Sequence, residues 1–236
     1  MKHSLLFILL ALSATFAHAQ IGDYRNDLCV GVSAGVTMNK MGFDPIVSQQ
    51  YHTAPTVGLT LRYTSEKFLT AYCALQVELN YARLGWTEDV LDRNSQPLPD
   101  TFKRNLDYLQ LPLLARLAWG KEHRGMMFYF LVGPQIGYCI AESSERSAQW
   151  TLNAAGNPDR PNDLYAQYTL PVKHKFDYGI TGGVGVELNT KLGHFLLEGR
   201  YYYGLSDVFG NAKKDVFSRS NHGAIVAKLS YLFDVN

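Results

Sequence analysis

The chain has 236 residues, 22 Lys plus Arg against 21 Asp plus Glu, and a formal charge of +1. That balance excludes the basic excess a nucleic-acid partner requires, and 47% apolar residues exclude a disordered chain. Charged residues make up only 18%, Tyr, Phe and Gly are abundant at 15, 12 and 20, and three cysteines are too few for a disulfide scaffold.

Residues 1–19 have the layout of a secretory signal peptide. Lys2 and His3 give a basic start, Leu5 to Phe16 an apolar stretch, and Ala17-His18-Ala19 a small-x-small cleavage pattern. The apolar stretch is shorter than the roughly 20 residues of a spanning helix. The expected domain layout is therefore a leader over 1–19 and one domain over 20–236. Beyond residue 20 the longest apolar run is Met126 to Val132, far too short for a membrane helix. The mature chain is then either soluble or a membrane protein that crosses with strands.

Alternation with period two supports the second alternative. It predicts eight strands, near 28–38, 54–64, 70–84, 104–118, 126–140, 174–189, 194–205 and 221–234. In the third strand Leu75, Val77, Leu79 and Tyr81 oppose Gln76, Glu78, Asn80 and Ala82. In the seventh Phe195, Leu197, Gly199, Tyr201 and Tyr203 oppose Leu196, Glu198, Arg200 and Tyr202. A soluble lipocalin-like carrier would bury the apolar face. Three features argue instead that the apolar face meets lipid. The polar face of the first strand, Cys29, Gly31, Ser33, Gly35 and Thr37, is too small for a wet surface. Aromatics gather toward the ends of the apolar face, at Tyr63, Tyr81, Trp119, Phe128, Tyr138, Phe176, Tyr203 and Phe233, as in the interfacial girdles of outer-membrane barrels. Short turns at 65–69, 119–125 and 190–193 alternate with long connections at 39–53, 85–103, 141–173 and 206–220, the arrangement of periplasmic turns and external loops. The predicted fold is an all-β, eight-stranded antiparallel up-and-down transmembrane barrel in the outer membrane, with lipid as its first partner.

An eight-stranded barrel is about wide enough for side chains to fill. Arg62, Arg116, Arg200 and Lys228 are assigned to its interior, against Glu78, Asp177, Glu187 and Glu198. Buried charges need partners, so these eight are expected to form a paired network that orders the lumen and does no chemistry. No catalytic residue, metal ligand or cofactor is assigned: the histidines are scattered, and neither His-x-x-x-His nor Cys-x-x-Cys spacing occurs. The enzyme alternative is a lipid A-modifying barrel using Ser220 and His222 at the external rim, with Asp215 nearby. Gly182-Gly183-x-Gly185 lies within a strand pattern and reads as strand crowding rather than a phosphate loop.

The run Tyr108-Leu109-Gln110-Leu111-Pro112-Leu113-Leu114-Ala115-Arg116-Leu117 resembles the fourth-strand segment of PorT-like outer-membrane β-barrels, common in Bacteroidetes. Val77-Glu78-Leu79-Asn80-Tyr81, Val186-Glu187-Leu188, Glu198-Gly199-Arg200-Tyr201 and the opening Val30-Gly31-Val32-Ser33-Ala34-Gly35 match that family as well. Gln110 replaces the family's usual Glu, and Asp234-Val235-Asn236 follows the terminal aromatic Phe233. The resemblance implies an eight-stranded outer-membrane barrel, and with no catalytic residue assigned the chain is read as non-enzymatic. The resemblance further implies a role in type IX-like protein secretion or envelope organisation, with envelope or secretion proteins meeting the external loops.

Overall fold

The computed structural model describes residues 22–235, so the leader assigned to 1–19 lies outside the described residues. Eight long antiparallel strands form a ring: β1 (Gly22–Asp44), β3 (His52–Phe68), β4 (Ala71–Glu88), β5 (Phe102–Gly120), β6 (Gly125–Arg146), β7 (Phe176–Thr190), β8 (Gly193–Gly204) and β9 (Arg219–Asp234). A two-residue strand, β2 (Gln49–Gln50), pairs with the top of β4. Each long strand pairs with its neighbours in sequence, and β1 pairs with β9, so no long strand has a free edge.

The eight strands stand where the period-two pattern predicts them, but several run further. β1 continues to Asp44, β4 to Glu88 and β6 to Arg146. Consequently the external connections shrink to 45–51, 89–101, 147–175 and 205–218, shorter than the sequence suggests. Beyond residue 140 the outward face of β6 turns polar, which ends the apolar period while the ladder continues through Phe102↔Arg146. Arg104 and Glu142 (2.8 Å) and Asn105 and Glu145 (3.2 Å) bond side by side on this extension.

The outer surface is apolar: Leu59 is 60% exposed, Phe130 60%, Leu197 57% and Leu229 63%. The alternate residues Gln76, Glu78, Arg116, Leu196 and Leu232 are buried in the lumen. A soluble carrier would reverse these faces, because a continuous apolar belt of this size is not left to water. Tyr63, Trp119, Phe128 and Phe233 ring the belt at its periplasmic edge, and Tyr81, Tyr138, Phe176 and Tyr203 ring it at the external edge. Their common levels follow from the register Leu109↔Tyr138↔Phe176 above and Trp119↔Phe128 below.

Pro112 and the glycine run have local explanations. β4 and β5 pair at Val77↔Leu113 and again at Asn80↔Gln110, with a lapse between, so the missing N–H of Pro112 costs the ladder little. A Cβ on Gly185 would sit 2.3 Å from Cζ of Tyr129. The glycine makes room for that ring to cross the lumen, which is crowding and not phosphate binding.

Candidate functional site

The interior is filled in layers. At the periplasmic level Glu187 accepts from Arg62 Nη1 (2.8 Å), from Arg116 Nη2 and from His194 Nδ1 (2.8 Å). Arg116 also lies 4.0 Å over the ring of Tyr129. At mid-height Glu78 accepts from Arg200 Nη1 (2.9 Å) and Nη2 (2.6 Å), from Lys228 Nζ (2.6 Å) and from Asn80 Nδ2 (2.9 Å). Glu198 accepts from Arg200 and from the Tyr129 hydroxyl (2.7 Å), and Gln76 donates to both Glu78 (2.7 Å) and Glu198 (3.4 Å). Tyr129 thereby ties the two layers together.

Seven of the eight charges assigned to the lumen meet in these layers. Asp177 does not: it accepts from Tyr202 Oη (2.6 Å) and Ser206 Oγ, near the external mouth. Sequence reading missed Tyr129 as a member, because Met126 to Val132 is apolar on both faces and hides which residues turn inward. Above Glu78 a void of about 20 Å³, bordered by Thr37, Gln110, Gln135 and Thr181, has room for about one water. The lumen is therefore plugged.

The external mouth is closed by an apolar core. Phe43 packs edge-on against Trp86 at 5.2 Å, Phe217 lies 5.0 Å from Phe43, and Phe209 lies 6.1 Å from Trp86. The long connection after β6 folds back over this core through Trp150 and Tyr168, with Tyr168 4.7 Å from Phe102. Polar bonds hold it down. Arg160 donates to Asp100 (3.0 Å) and to Tyr168 Oη (2.7 Å), and the Tyr168 hydroxyl donates to Glu88 (2.6 Å). Burial pushes the Glu88 carboxyl up to about 7, against the opposing pull of the donors from Tyr168 and Gln167.

Ser220, His222 and Asp215 are not assembled for catalysis. Ser220 Oγ accepts from the Phe209 N–H (3.0 Å). His222 is fully buried between Tyr108 Oη (3.2 Å) and Asn39 Nδ2 (3.3 Å), and Asp215 bonds Lys173 (3.3 Å) and the Ala212 N–H (3.0 Å). The cysteines are free. Cys29 lies with Arg62 at the periplasmic end of the lumen and Cys139 in the external core, so the two are too far apart to bridge. The sequence assigns no metal ligand, yet Cys29, His194 and Asp234 converge to within 4.8 Å at the periplasmic rim.

An eight-stranded ring with an apolar belt between two aromatic girdles, and a polar packed interior, defines an integral outer-membrane β-barrel. The chain belongs to the outer membrane protein β-barrel domain family, whose sequence profile matches residues 18–210. The match stops short of β9, which closes the ring. No curated protein sequence matches the chain. Among solved structures it is similar to outer-membrane barrels. Neisserial surface protein A (NspA) is 13% identical, with a TM-score of 0.40, covering 87% of this chain and 97% of that one. OprG of Pseudomonas aeruginosa is 14% identical, with a TM-score of 0.38, covering 90% and 98%. The attachment invasion locus protein Ail of Yersinia pestis is 12% identical, with a TM-score of 0.35, covering 87% and 98%.

Proposed function

We propose that this barrel is a non-conducting, non-enzymatic membrane anchor that presents its folded external cap to other envelope proteins. One observation carries the reading: the external connections share a buried aromatic core around Trp86 and are clamped by Arg160. The extensions of β1, β4 and β6 and an internal core make a shaped surface, which suits recognition better than loose loops do. The plugged lumen argues against a transport path.

The PorT-like resemblance directs the partner class toward protein secretion or envelope organisation. The test compares the proteins of the culture medium and cell surface with and without this chain. It is repeated with a chain whose 147–175 connection is replaced by a short Gly/Ser turn. Loss of the same exported or surface proteins in both cases supports the cap as the working part. A wild-type profile from the loop-replaced chain refutes it. Purified barrel in a planar bilayer is expected to give no steady conductance. Lipid A mass spectra are expected to be unchanged by His222→Ala; altered acylation would restore the enzyme reading.

A further inference from the structure

Ring closure brings distant parts of the chain to one point at the periplasmic rim. Arg62 on β3 pairs with Cys29 on β1, and Cys29 pairs with Asp234 on β9. His194 on β8 stands opposite Leu232, two residues before Asp234 and on the same face. Cys29 Sγ lies 3.1 Å from Asp234 Oδ1, and His194 Nε2 lies 3.1 Å from the same oxygen. A thiol, an imidazole and a carboxylate therefore point at one spot, beside a cavity of about 210 Å³ that Asp27, Tyr72 and His123 help to line.

A second observation concerns what stands behind the imidazole. His194 Nδ1 lies 2.8 Å from Glu187 Oε1 and 2.7 Å from Asn189 Oδ1. Glu187 is 1% exposed and is held by Arg62 and Arg116. A carboxylate on the far nitrogen is the usual support of a metal-bound histidine: it takes the Nδ1 proton and leaves Nε2 free to face an ion. Arg62 Nη2 lies 3.2 Å from Cys29 Sγ, on the side away from Asp234's strand.

We propose that Cys29, His194 and Asp234 bind a borderline-soft divalent ion of the Zn²⁺ class and thereby staple the barrel's closing seam. The donor set excludes Mg²⁺ and Ca²⁺, which take oxygen ligands, and suits zinc, which takes sulfur, nitrogen and oxygen together. Tetrahedral zinc needs about 3.6 Å between sulfur and oxygen and about 3.4 Å between nitrogen and oxygen. Each observed 3.1 Å separation thus has to widen by a few tenths of an ångström. Asp234, with its side chain 61% exposed, is free to swing that far. The adjoining cavity leaves space for a water as fourth ligand. A metal takes the thiolate and the neutral imidazole, so binding releases whatever protons those two groups carry. The three ligands come from β1, β8 and β9, and β1 and β9 are the strands whose pairing closes the ring.

The test uses the full chain, extracted in detergent and stripped with a chelator, with Co²⁺ as a visible stand-in for Zn²⁺. One Co²⁺ per chain is expected, with a thiolate-to-cobalt charge-transfer band that Zn²⁺ abolishes. Cys29→Ser is expected to remove the band. His194→Gln is expected to weaken binding by about tenfold or more. Cys73→Ser with Cys139→Ser is expected to leave both unchanged. Zn²⁺ is expected to raise the unfolding temperature of the native chain and not of Cys29→Ser. If Cys29→Ser or His194→Gln does not fold, Asp234→Asn at the exposed rim is read instead, and an unchanged affinity there overturns the proposal. A folded native chain without the band, or a band that survives in folded Cys29→Ser, overturns it equally.

Discussion

Glu78 is the centre of the lumen's mid-height layer, and Glu78→Gln tests whether that layer holds the barrel together. The substitution keeps the side chain's size and removes its charge. Arg200 loses a two-pronged carboxylate contact and keeps Glu198, whereas Lys228 Nζ is left with Asn80 Oδ1 at 3.0 Å. Both cations are almost wholly buried, Arg200 at 6% exposure and Lys228 at 2%. Removing one partner of a buried ion pair costs about 3–5 kcal/mol, chiefly because the remaining charge is stranded away from water. At about 1.4 kcal/mol per decade, that lowers the folding equilibrium constant by roughly two to three and a half powers of ten. Urea unfolding in lipid bilayers, followed by tryptophan fluorescence, reads the change. Adding Lys228→Met to Glu78→Gln removes the stranded ammonium and is expected to recover part of the loss. The two changes are in contact and should couple by about 0.5–3 kcal/mol. Glu78→Gln within about 0.5 kcal/mol of the parent, the range of ordinary surface changes, would refute the reasoning and make the lumen charges independent of one another.

Gly185→Leu drives a side chain into the ring of Tyr129, whose Cζ lies 2.3 Å from the position of a Cβ; about 1–3 kcal/mol is expected to be lost, together with the Tyr129 to Glu198 bond, measured by the same unfolding assay. Trp86→Ala opens a cavity in the external core. It is expected to expose the 147–175 connection to added protease on intact cells while the lipid-embedded barrel stays folded, because the cavity borders the cap and not the belt. The clamp on Glu88 gives the cap a pH dependence. A carboxyl raised to about 7 in the folded cap and near its ordinary value in an opened one stabilises the cap most below the ordinary value and loses that contribution as pH rises toward 7. Protease cleavage of the 147–175 connection should therefore be slower at pH 5 than at pH 8, and Glu88→Gln should flatten the difference.

The strands and their faces were legible in the sequence because they are local properties. A residue's side of a strand follows from its parity, so Leu75, Glu78, Phe195 and Arg200 declare their faces without knowledge of any neighbour. The small residues of β1, the aromatics at both edges and the alternating loop lengths then identify lipid as the outer solvent. The extents of β4 and β6 were less legible, since hydrogen bonding continues past the last apolar residue and leaves no pattern in composition. The lumen charges could be collected from parity but not matched. Glu78 meets Arg200 and Lys228, and Asp177 meets Tyr202, because tilt and register set which inward residues share a level. The enclosed core around Trp86 combines β1, β4, β5, β6, β8, β9 and the four external connections, and its members resemble ordinary loop and strand residues until those segments are stacked.

Cys29, His194 and Asp234 show the division most clearly. Each alone reads as a small filler, a scattered histidine or a terminal acid, and no spacing joins them. Strand parity, set by the backbone, determined that the chain is a lipid-facing barrel. Ring closure, which pairs β1 with β9, decided which distant side chains meet inside it.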